Sequence, residues 1–98
     1  MNILPKPELG QIVKVLRGND PDKYAVVIAI VDSRFILIAD GNKRKFDRPK
    51  KKNIIHLQLQ EVVSSEVSAS LQETGRVTNA KLRHAIGTFI DNLQAEST

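Results

Sequence analysis

Two neighbouring segments of this chain, Tyr24–Val31 and Arg34–Ala39, are apolar on both faces. In the first, Val26, Ile28 and Ile30 alternate with Val27, Ala29 and Val31; in the second, Phe35 and Leu37 alternate with Ile36 and Ile38. Such β-branched and aliphatic runs read as strands. An antiparallel sheet with one face in water would carry a polar residue at every other position. Here one face must line a barrel or sandwich interior, and the other must be covered. The chain therefore cannot be a bare open sheet, and some other segment has to supply the cover.

The surrounding punctuation sets the strand order. Pro5 and Pro7 make the N-terminus extended or irregular, and Gly10 then opens the β-branched run Gln11–Leu16. Arg17–Lys23 (RGNDPDK) is dense in turn formers: Gly18, Asn19, Asp20, Pro21 and Asp22. Asp32–Ser33 leaves room only for a tight turn. Asp40–Gly41 predicts a two-residue hairpin of the type that needs positive φ at both central positions. A basic loop follows, and Asn53–Leu59 reads as the last strand. These four strand segments, joined by tight turns with a glycine in the first loop, predict a mainly β protein, a small five-stranded SH3-like barrel over residues 8–59.

The remainder, about residues 60–95, predicts a helical extension. Val62, Val63, Val67 and Leu71 fall at helical spacing within Glu61–Gln72, Gly75 is a natural stop, and Thr78 or Asn79 can cap a second helix. That second helix carries Leu82, Ile86, Phe89, Ile90 and Leu93 in one narrow stripe. The stripe can be the missing cover, or it can be held out for a partner.

Charge is distributed unevenly. Residues 1–60 carry twelve Lys and Arg against six Asp and Glu, a net +6, whereas residues 61–98 carry three against five, a net −2. Lys43–Lys52 (KRKFDRPKKK) alone holds seven of the fifteen cations and a single acid, Asp47. Clustered cations on a small β domain favour a polyanionic partner, and counterion release on phosphate neutralisation would supply the affinity. Phe46, the one aromatic in this stretch, can either pack into the core or stack on an unpaired base.

These residues resemble the KOW family of RNA-binding and ribosomal proteins, above all the KOW proteins of the archaeal and eukaryotic large ribosomal subunit and their small bacterial relatives. The resemblance runs from Glu8 to about Leu59. It rests on Gly10 and Gly18 around the first strand, Val31–Asp32, Asp40–Gly41, the basic segment Lys43–Lys52, and His56–Leu57. The chain departs from the pattern at Asp22, where the family usually has a second glycine. What the resemblance implies is binding of structured RNA, commonly ribosomal, without catalysis. The side chains expected to contact RNA are Lys14, Arg17, Lys23, Lys43, Arg44, Lys45, Arg48, Lys50, Lys51 and Lys52. Shape recognition of this kind suits A-form RNA, which offers phosphates and 2′-hydroxyls more than readable base edges.

Other chemistries find little support. The chain has no cysteine, so disulfides, thiol catalysis and thiolate metal sites are excluded. His56 and His84 fall in different elements without zinc-like spacing, and Asp20–Pro21–Asp22 lacks the further ligands of a calcium loop. No phosphate-cradling glycine motif or nucleophile elbow occurs. The expectation is a non-enzyme without cofactors or a small-molecule substrate. With no apolar run of membrane-spanning length and no secretory leader pattern, the chain is expected in the cytoplasm. Two alternatives stand beside RNA binding. One is a protein-interaction adaptor for ribosomal or transcription proteins, a role some KOW domains have. The other is DNA binding through the helical pair within Val67–Ile86, although the negative balance of that half opposes it.

Overall fold

Five antiparallel strands and two α-helices make up most of the computed structural model, which describes residues 6–18 and 20–96. Pro5 and Asn19 lie outside the described residues. The strands are β1 (Gln11–Val15), β2 (Tyr24–Ile30), β3 (Phe35–Ala39), β4 (Lys50–Asn53) and β5 (Leu57–Val63). They form one sheet in the order β4-β3-β2-β1-β5, followed by the helices α1 (Ser65–Thr74) and α2 (Asn79–Glu96). This is an SH3-like arrangement with a helical extension, and its sheet is not closed into a complete barrel.

The two apolar faces of β2 and β3 have separate fates. Val13, Val15, Ala25, Val27, Ile36, Ile38 and Leu57 pack together on the inner face. On the outer face Ile12, Val26, Ile28 and Ala39 pack against Val67, Leu71, Val77, Leu82 and Phe89 from the helical segment. The helices are thus the cover that the strands require. Val67 and Leu82 are fully buried, and Phe89 meets Tyr24 of β2 edge-to-face with ring centroids 5.0 Å apart. Ile86 and Ile90 pack beside them, whereas Leu93, the end of the stripe, is exposed. Phe46, partly buried, also packs against this cluster, which favours the packing reading over the stacking one.

Four boundaries differ from the sequence reading. The basic stretch is not all loop, because its last three lysines begin β4 and pair with β3. An edge strand satisfies one row of backbone groups and tolerates lysine, so it needs no apolar alternation. The expected last strand is divided: Asn53 ends β4, Ile54–His56 forms a 3-10 turn capped by the Asn53 side chain, and β5 then runs on to Val63. The first helix consequently starts at Ser65 and not at Glu61, with Ser64 accepting the Val67 N–H as its cap. β-branched Val62 and Val63 extend the strand that pairs with β1. Finally, Asp40–Gly41 is not a two-residue hairpin. The N–H groups of both residues donate to the Arg44 carbonyl, and ten residues, Asp40–Pro49, separate β3 from β4. The Asp40 carboxylate organises this longer turn by accepting the N–H groups of Asn42 and Arg44, each at 2.8 Å.

Gly41 makes the seat for α2. It is buried at φ +80°, and a Cβ there would run into the Asn79 carbonyl and stand 3.0 Å from Leu82 Cβ. Gly41→Ala is therefore expected to cost roughly 2–3 kcal/mol, combining left-handed strain with a displaced helix. In a thermal melt this would lower the midpoint by on the order of 10 °C. An unchanged midpoint would show that α2 can shift freely on the sheet.

Candidate nucleic-acid interface

The edge strand β4 decides where the cations point. Lys50 pairs with Ile38 and Lys52 with Ile36, so both side chains lie on the inner face of the sheet. Lys51, opposite Leu37, lies on the other face, with its ammonium 4.8 Å from the centroid of the Phe35 ring. Inward lysines on an edge strand also guard against strand addition. Here they do more, because they meet the β1–β2 loop and the β3–β4 turn. The half-buried Lys52 donates to the Arg17 carbonyl at 2.7 Å and ties that loop to the edge.

The result is a cleft of about 160 Å³ at the mouth of the inner face. Its cations are Lys23, Arg44, Lys50 and Lys52; its acids are Asp20 and Asp40; its apolar lining includes Val15, Ala25 and Ile38. Lys43 and Lys23 share an adjoining groove with Arg83 of α2. Lys45 and Arg48 are exposed on the turn itself, where the Arg48 N–H donates to the Lys45 carbonyl. Lys14 is not part of the cleft: it pairs with Tyr24 on the helix-covered face, 3.7 Å from Asp22. Arg17 is exposed beside Gly18.

Both acids of the cleft are engaged. Asp40 holds the turn, and Asp20 accepts a 2.9 Å hydrogen bond from Lys43. That bond holds the Asp20 carboxyl below the ordinary aspartate value. Because the folded value lies under the unfolded one, the contact contributes stability above the unfolded value and loses it as pH falls through the folded value. Asp32 is also held low, by the N–H groups of Arg34 and Phe35 that cap the β2–β3 turn. Lys43→Ala is expected to raise the Asp20 carboxyl back towards the ordinary aspartate value in an NMR titration, with Asp32 unmoved as the internal control. An unmoved Asp20 would show that the ion pair does not persist in solution.

Asp22, the departure from the family pattern, sits at φ +67°, the left-handed conformation for which glycine is best suited. Two contributors were missed by the sequence reading. Arg83 donates to the Gly41 carbonyl at 2.6 Å, and Asn79 accepts the Phe46 N–H at 2.8 Å. Both pin the basic turn to α2, so two polar residues of the helical pair considered for DNA binding already serve inside the fold. Neither pattern nor charge signalled them, because nothing local says that α2 passes beneath the turn. The histidines lie elsewhere: His56 in the 3-10 turn, and His84 exposed along a different groove.

An open SH3-like sheet with a lysine-bearing edge strand and a helical cover defines a small basic β protein. No family model matches the chain. It is 48% identical over 71 residues to the "Putative ribosome-binding protein YbzG" of Bacillus subtilis (strain 168), covering 72% of this chain and 96% of that protein. It is also 29% identical over 55 residues to the large ribosomal subunit protein eL14 of Sulfolobus acidocaldarius, covering 56% of this chain and 57% of that one. With nearly the whole of the Bacillus protein matched, the chain belongs to the same KOW-like family as YbzG.

Proposed function

We propose that this protein associates with the ribosome by binding structured ribosomal RNA, without a catalytic step. The observation that carries the reading is the gathering of Lys23, Arg44, Lys50 and Lys52 around one cleft. Arg17, Lys43, Lys45 and Arg48 extend the basic surface around it. The names of both relatives, one ribosome-binding and one ribosomal, support the same partner. Arginine can fork onto phosphate oxygens, while the lysines act as point charges. Among the described residues no helix is long and apolar enough to cross a membrane, and a ribosomal partner would place the protein in the cytoplasm.

The test is sedimentation with purified ribosomal subunits across a salt series. An RNA-phosphate contact predicts co-sedimentation at low salt and steep release as salt rises. Binding that persists undiminished at high salt would favour a protein–protein contact instead. Absence from the subunit fractions at every salt concentration would overturn the reading.

A further inference from the structure

The cleft has a floor as well as a rim, and phosphates alone do not account for the floor. Val15, Ala25 and Ile38 belong to the buried inner apolar cluster, yet they also line the cleft beside Lys23, Arg44, Lys50 and Lys52. At about 160 Å³ the space is well under the ~300 Å³ at which clefts for drug-sized ligands begin. It has room for one ring system and not for a cofactor. Duplex RNA would present only its ridge of phosphates to the rim and leave the apolar floor wet.

We propose that the cleft takes a single unpaired nucleotide of the RNA, its base laid on Val15, Ala25 and Ile38 and its flanking phosphates on the four cations. This rests on the RNA-binding reading and adds to it: the preferred site is a bulge or a loop and not a regular helix. The arrangement is prebuilt. Lys52 is held by the Arg17 carbonyl, the Arg44 backbone is held by Asp40, and the Lys50 backbone is placed by its pairing with Ile38. Such preorganisation lowers the ordering cost of binding. Extruding a base that is already unpaired also costs little, which is one source of selectivity.

The experiment uses the full chain with labelled methyl groups and four probes: inorganic phosphate, uridine 5′-monophosphate, a short RNA duplex, and the same duplex with a one-nucleotide bulge. The nucleotide is expected to shift the methyl resonances of Val15, Ala25 and Ile38, which phosphate leaves in place. The bulged duplex is expected to bind on the order of 10-fold tighter than the regular one, from the apolar area its base would bury on the floor. If nucleotide and phosphate give the same shifts, and bulged and regular duplexes bind alike, the nucleotide cleft is overturned while the phosphate surface stands. If the free nucleotide displaces the bulged RNA at equal concentration, the cleft belongs to a soluble nucleotide and the RNA assignment is overturned. If no RNA binds at all, the underlying reading fails, and this inference fails with it.

Discussion

A chain ending at Ser64 is expected to lose its cooperative thermal transition or to aggregate on expression, although it keeps every strand. Removal of α1 and α2 uncovers Ile12, Val26, Ile28 and Ala39 on the outer face and discards Val67, Leu71, Val77, Leu82 and Phe89. Each large side chain buried in that layer contributes roughly 1.5–3 kcal/mol before entropy is subtracted. A domain this small has only about 5–15 kcal/mol of net stability to lose. The cut belongs after Ser64 because β5 pairs with β1 as far as Val63 opposite Gln11. A milder version keeps the chain intact: Leu82→Ala should cost about 2–5 kcal/mol, since Leu82 is fully buried. If the shortened chain melts with the full one, the helices are an appendage, and the stripe on α2 is free for a partner.

The second large effect concerns RNA. Lys23→Ala, Arg44→Ala and Lys50→Ala together remove three of the cleft's cations while leaving the Lys52 strut in place. With about three phosphates no longer neutralised, the log–log dependence of affinity on salt should flatten by ~2 on the single-strand coefficient. The control removes as many charges from the same stretch but outside the cleft: Lys45→Ala, Arg48→Ala and Lys51→Ala. Because Lys45 and Arg48 flank the cleft, this triple should also flatten the slope, but by less than the cleft triple, and with a smaller loss of affinity. Equal reductions from the two triples would mean that only total charge matters and that the cleft has no special part. Neither triple touches a fully buried side chain, so matching melts can confirm that the fold survives both.

Some of this was legible in the sequence because it depends on short-range pattern. The doubly apolar β2 and β3 demanded a cover, and the stripe Leu82–Ile90 supplied it. Gly75 ended α1 in the left-handed conformation expected of a helix stop. What stayed hidden depends on register and on residues far apart in sequence. A lysine-rich edge strand has no alternation to read, so β4 looked like loop. Without its register, the assignment of Lys50 and Lys52 to one face and Lys51 to the other could not be made, since a one-residue slip reverses every side chain. The charge count of Lys43–Lys52 was visible; its division into a cleft, an outer arc and a far face was not. Arg83 and Asn79 were invisible as supports of the turn for the same reason.

The placement of the cover at the C-terminus has a consequence for synthesis. β1 cannot complete its pairing until Leu57–Val63 has been made, and the outer face stays bare until Leu82 and Phe89 follow. A growing chain thus carries β2 and β3 with an unprotected greasy side from the completion of Ala39 until Phe89 has been made. Non-local closure of this kind is slow and exposes apolar surface while it waits. The dense cations of Lys43–Lys52 emerge in that interval, before the helices do. Their mutual repulsion between neighbouring nascent chains, and the lysines along the β4 edge, oppose association during the period when the molecule is most vulnerable to it. The same residues that make the mature surface basic would therefore also help to keep the incomplete chain soluble before α2 is seated.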